Sequence, residues 1–191
     1  MKRFLAALLL LLPMLAALPT QAHAQADTNW LLQSSTLTYH MSHPMHEVYG
    51  TSHAAKGKGV CHAGTCDFLI AAPVKTFDSG DSNRDLHMIQ VTRGAQFPMV
   101  VVRTSFPAAA TSSSTIYADL QVQFAGQTAE YKHVPFQRTE QNGVVRIVGT
   151  VPATCSDFKI VRPSFLTVPI KDEIPVSVDA SWVHATGSAA P

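Results

Sequence analysis

The stretch Thr115-Ile-Tyr-Ala-Asp-Leu-Gln-Val-Gln-Phe124 alternates without a break. Ile116, Ala118, Leu120, Val122 and Phe124 are apolar, while Thr115, Tyr117, Asp119, Gln121 and Gln123 carry polar groups. Successive side chains of an extended chain point to opposite faces, so a period of two makes a strand with one greasy and one wet face. The segment from Ile174 to Trp182 repeats the pattern, with Ile174, Val176, Val178, Ala180 and Trp182 on one side. Such strands belong to an antiparallel sheet that buries one face only. Working outward, weaker alternation predicts strands at Trp30–Met41, Glu47–Val60, Cys66–Thr76, Phe97–Phe106, Thr128–Gln137 and Val144–Pro152. About eight strands at hairpin spacing describe an all-β chain that closes as a barrel or packs as a sandwich.

One segment reads as helix. Asp81-Ser-Asn83 offers capping side chains, Leu86, His87, Met88, Ile89 and Val91 follow, and Gly94 stands where a helix should stop. A second short turn is expected between Thr154 and Arg162. In Cys61-His-Ala-Gly-Thr-Cys66, a two-residue turn at Ala63-Gly64 would pair His62 with Thr65 and bring Cys61 opposite Cys66. That is the close, non-hydrogen-bonded position, where a disulfide fits. A CxxxxC metal site is the rival reading, but no second ligand pair stands at a suitable spacing. Cys155 is left over as a buried free thiol.

Met1-Lys-Arg3, the apolar run Phe4 to Leu18 and the small-x-small site Ala22-His-Ala24 have the layout of a secretory signal peptide over residues 1–24. The run falls short of the about 20 residues that cross a bilayer, so no stable membrane insertion is expected. Residues 25–184 then form one domain, and the small, polar residues 185–191 a disordered tail. Lys2 and Arg3 leave with the leader, which brings twelve basic side chains against thirteen acidic ones. A near-neutral chain with no basic cluster is a poor match for nucleic acid. Export and a signal peptide place the protein in the periplasm, where an oxidising environment would keep the Cys61–Cys66 bridge closed.

The chain lacks GxSxG, HExxH, GxxxxGK[ST] and a strand-following GxGxxG, and its carboxylates are scattered, so no catalytic residue is assigned and no enzyme is expected. The densest polar cluster is Tyr39-His-Met-Ser-His-Pro-Met-His-Glu47. His40, His43 and His46 could hold copper, zinc or haem iron. On a regular strand, however, His40 and His46 share one face and His43 takes the other, unless Pro44 bends the chain and brings His43 to His46. Hydrogen bonding to backbone at a barrel mouth, or contact with a ligand head group, are the other readings. Asp85 suits the first turn of the helix, and Arg84 would pair with it or with another carboxylate.

Taken in order, several pieces resemble the YceI-like family of exported, lipocalin-like isoprenoid-binding proteins. They are Trp30, Leu37-Thr-Tyr39, His43, Val48-Tyr-Gly50, the Arg-Asp-x-His segment within Asn83-Arg-Asp-Leu-His-Met88, and Phe97-Pro98 with the strand Met99–Val102. Leu120-x5-Gly126-x-Thr128, Ser156-Asp-Phe158-x-Ile160 and Lys171-Asp-Glu-Ile174 continue the match, which spans about Trp30 to Trp182. The chain departs where Cys155 replaces a basic residue, where Lys159 replaces a glycine, and in its Cys61–Cys66 hairpin.

The resemblance implies an eight-stranded antiparallel, lipocalin-like barrel with a short helix near one end. Its apolar tunnel would hold a polyisoprenoid or other long lipophilic molecule, with no cofactor; haem or copper belongs to the alternative metal reading. The expected partner is thus a lipophilic small molecule, and the surface leaves room for a homodimer. The chain of the ligand is expected against Leu37, Tyr39, Phe68, Phe77, Met88, Phe97, Leu120, Phe124, Phe158 and Trp182. His43, His46, Arg84 and His87 are expected near its polar head. Everything depends on the inward faces enclosing an empty channel rather than meeting one another.

Overall fold

A computed structural model describes residues 27–165 and 167–185; the leader at 1–24 and the tail beyond Ala185 lie outside the described residues. The strands are β1 (Thr28–His43), β2 (His46–Ser52), β3 (Lys56–His62), β4 (Thr65–Pro73), β5 (Met99–Pro107), β6 (Thr115–Phe124), β7 (Gln127–Gln141) and β8 (Val144–Val151), with two short ones, β9 (Ser164–Phe165) and β10 (Val168–Pro169), and finally β11 (Val176–His184). The helix α1 spans Ser82–Val91. The wall runs β1-β3-β4-β5-β6-β7-β8-β11, every pair antiparallel, and β11 pairs back onto β1 to close an eight-stranded barrel. Among the described residues, closure leaves the eight-stranded wall without an open end to recruit another chain.

The predicted strand Thr115–Phe124 is β6 to the residue. The predicted strand Glu47–Val60 proves to be two. β2 pairs with Leu37–His43 of β1, β3 pairs with Thr28–Leu31, and residues 53–55 between them leave the ladder. Side chains replace the missing ladder bonds: the fully buried Ser52 hydroxyl bonds to Thr76 Oγ1 at 2.7 Å and accepts from Ala54 N, while His53 Nδ1 lies 3.2 Å from Ser35 O. The predicted strand Cys66–Thr76 ends at Pro73 and continues as a 3₁₀ turn, Val74–Thr76. The short turn expected after Thr154 is the 3₁₀ turn Ser156–Phe158.

Asp81 caps α1 by accepting from Asn83 N and Arg84 N, and these bonds hold its carboxyl below the usual carboxylate range. The helix stops differently from expectation. Arg93 adopts the left-handed conformation (φ 56°), and Gly94 N donates to Ile89 O at 2.7 Å to close a Schellman motif. Gly94 sits in tight packing instead, since a Cβ there would lie 3.1 Å from Ile89 Cγ2 and 3.3 Å from Val74 Cγ1.

The two barrel ends differ. At one end α1, the β1–β2 turn and the segment 152–175 gather; at the other lie the Ala63-Gly64 and Asn142-Gly143 turns and the 3₁₀ turn Ala108–Ser112. The hairpin at Ala63-Gly64 (φ 48° and 83°) has His62 opposite Thr65 and Cys61 opposite Cys66, and the two cysteines are bridged. Cys155 is free and buried, and burial pushes its thiol up to about 11.

A candidate lipid tunnel inside the barrel

The alternating faces read from the sequence meet in space. Ile116, Ala118, Leu120, Val122 and Phe124 of β6 all line one internal cavity, as do Ile174 and Val176, Val178, Ala180 and Trp182 of β11. β1 contributes Trp30 and Leu32, then Ser35, Leu37, Tyr39 and Met41. The inward set changes from even to odd numbers because the register slips between Leu32 and Ser34, a bulge at Gln33. Phe68, Ile70 and Ala72 come from β4, and Val100, Val102, Thr104 and Phe106 from β5.

The cavity volume is about 350 Å³. An apolar cavity of about 150 Å³ stays dry and takes one benzene, so by proportion this one takes about 14 carbon atoms. A second estimate comes from length. Inward residues of β6 reach from Ile116 to Phe124, about 27 Å along the strand at roughly 3.4 Å per residue. A strand tilt of about 40° reduces that to about 20 Å along the axis. A carbon chain with bonds of about 1.5 Å at about 111° advances about 1.25 Å per atom, so about 16 atoms span it. The two estimates agree on a slender chain.

Polar groups are sparse along the walls. The Trp30 Nε1, Ser35 Oγ and Thr104 Oγ1 atoms are buried with no hydrogen-bond partner among the described residues. Towards the end remote from α1 the aromatic rings crowd: Phe68 meets Trp182 edge-on at 4.9 Å and stacks on Phe106 at 5.6 Å. Gly59 permits this, because a Cβ there would sit 2.3 Å from the Phe68 ring.

At the other end, α1 brings Arg84, His87, Met88 and Val91 to the cavity, with Phe77 beside them. Arg84 donates from Nε to Ser79 Oγ (2.8 Å) and from Nη2 to Ser79 O (2.7 Å). Asp85 accepts from Ser79 N at 3.1 Å and from its hydroxyl at 2.5 Å. Arg84 and Asp85 thus share Ser79 rather than simply pairing with each other. Burial, with the Asp85 charge next, raises the Tyr39 phenol above its ordinary value.

Of the residues expected at the ligand, Leu37, Tyr39, Phe68, Phe77, Arg84, His87, Met88, Leu120, Phe124, Phe158 and Trp182 line the cavity. Phe97, His43 and His46 are not among its lining residues. Phe97 fills the space beside Gly126, under the Arg93 guanidinium (5.5 Å). His43 and His46 face each other across the Pro44-Met45 turn with rings 5.0 Å apart, so the bend at Pro44 is a hairpin. His43 is buried; its Nδ1 accepts from Met45 N and its Nε2 donates to Val168 O, each at 3.2 Å. His40 turns elsewhere, bonded to Glu47 at 2.6 Å and stacked on Tyr49. Among the described residues no group of three or more His, Cys, Asp or Glu is arranged to hold a metal ion. Sequence reasoning missed the lining residue Arg138, because its neighbours Gln137 and Thr139 are polar too and no alternation marks it.

No protein-family model matches the chain, and no curated protein matches it. Solved structures match the fold. BcnA of Burkholderia cenocepacia is 15% identical at TM-score 0.63, over 77% of this chain and 95% of that one. A polyisoprenoid-binding domain from Saccharophagus degradans, implicated in plant cell wall breakdown, is 12% identical at TM-score 0.64, over 82% and 98%. A YceI protein of Campylobacter jejuni is 10% identical at TM-score 0.51, over 63% and 73%.

Proposed function

We propose that this chain, which shares the barrel fold of YceI-like proteins, is an exported, periplasmic binding protein that sequesters a polyisoprenoid or another long lipophilic molecule and performs no chemistry on it. The observation that carries the reading is the internal cavity walled by the apolar faces of β6 and β11. The solved polyisoprenoid-binding domain of similar fold supports it. Enclosing about 14 carbons contributes roughly 11 kcal/mol at about 0.8 kcal/mol per methylene, before ordering costs. That length corresponds to about three isoprene units; a longer polyisoprenoid would run on past α1. No prosthetic group is part of the reading.

The test is organic extraction of purified protein followed by mass spectrometry. A lipid recovered near one per chain is the expected result. A protein that carries none, and takes up none when incubated with chains of about this length, would sink the proposal.

A further inference from the structure

The inward face of β7 changes character along its length. Val134 and Phe136 are buried, and the next positions on that face are Arg138 and Glu140. Arg138 lies opposite Ile147 and Glu140 opposite Val145, and both of those partners line the tunnel, as does Arg138 itself. β7 runs away from α1, so Arg138 stands at the far end, near the Asn142-Gly143 turn and the 3₁₀ turn whose Thr111 also lines the cavity.

The Arg138 side chain is only 16% exposed, and its Nη2 is paired with Glu140, itself 46% exposed. A cation beside hydrocarbon needs a close partner, and a half-solvated carboxylate is a weak one. The other arginine lining the tunnel, Arg84, already spends Nε and Nη2 on Ser79. Arg138 spends one Nη2 hydrogen on Glu140 and keeps a planar fork, the geometry that binds a carboxylate with two parallel bonds.

We propose that Arg138 anchors an anionic head group. The ligand is then a single-chain carboxylate lying with its head at the β7–β8 end and its tail pointing up the tunnel toward α1. This rests on the lipid-binding reading and names the ligand class within it.

The experiment compares tetradecanoate with tetradecan-1-ol, two probes with the same chain, on delipidated full-length protein by displacement of a fluorescent fatty alcohol. The wild type should bind the acid at least tenfold more tightly than the alcohol. Arg138→Met, with Arg138→Gln as a second variant, should shrink that preference below twofold, and a far-UV circular dichroism spectrum matching the wild type reports an intact barrel. Arg146→Met, an arginine paired with Asp179 on the exposed side of β8 and outside the tunnel lining, should keep the preference. Equal binding of acid and alcohol by the wild type overturns the proposal, as does a preference that survives in the Arg138 variants or vanishes in Arg146→Met; alcohol binding still supports the lipid reading in each case. If neither probe binds, both readings fail.

Discussion

Ala118→Phe puts a ring into the middle of the tunnel, and it separates a hollow barrel from a solid one. Ala118 is buried on β6, opposite Val134, and lines the cavity. The substitution adds one phenyl group, about what an apolar cavity of about 150 Å³ accommodates. It would therefore take somewhat under half of the 350 Å³ and displace about six ligand carbons. At about 0.8 kcal/mol each this is about 5 kcal/mol, an upper figure because the ligand can slide toward α1. Every 1.4 kcal/mol is tenfold, so affinity for tetradecan-1-ol should fall by up to about three and a half decades. Stability should hold or rise, since the ring enters empty space. In a filled core the same ring would overpack and cost about 1–3 kcal/mol, lowering the melting temperature by about 2–4 °C per kcal/mol. Calorimetric titration and thermal unfolding by circular dichroism read the two effects. A melting point several degrees lower with chain affinity unchanged would refute the reasoning.

Removing the bridge with Cys61→Ser and Cys66→Ser should cost on the order of 2 kcal/mol, seen as a melting point about 4–8 °C lower; in the wild type, intact mass under non-reducing conditions should show neither Cys61 nor Cys66 available for alkylation. Asp85→Ala should remove the carboxylate that holds Ser79 and leave two donors weakly placed, costing about 1–3 kcal/mol; stopped-flow measurement should find lipid exchange faster, because α1 covers the tunnel end. Cys155 stays a thiol in the folded chain up to about 11, against 9.0 ordinarily. Ionisation therefore favours the unfolded chain between those values, and stability should fall as pH rises from about 9 toward 11. Denaturant midpoints across that range should decline less in Cys155→Ala, and a thiol reagent at neutral pH should label native wild type far more slowly than unfolded protein.

The functional reading divides along the same line as the residues that carry it. Tyr39, Phe68, Arg84, His87 and Met88 were placed near a ligand by sequence and stand at the tunnel. His43 looked like part of a chemical cluster because three histidines crowd nine residues. Its ring is instead held by Val168 O, 125 positions away along the chain. Nothing local could show that, nor that His40 would turn to Glu47 and Tyr49.

Local rules were enough wherever the cause is local. Alternation marked the inward faces of β6 and β11, the Ala63-Gly64 turn set the Cys61–Cys66 register, and Asp81 marked the start of α1, since each depends on neighbours a few bonds away. Packing across the barrel decided the rest. The bulge at Gln33 exchanged the inward residues of β1, pairing with two separate stretches of β1 divided a predicted strand into β2 and β3, and Arg138 came to lie at a tunnel end. Above all, alternation states which side chains avoid water, whereas the distance between opposite walls, set by how eight strands close, decides whether those side chains touch or leave room for a guest.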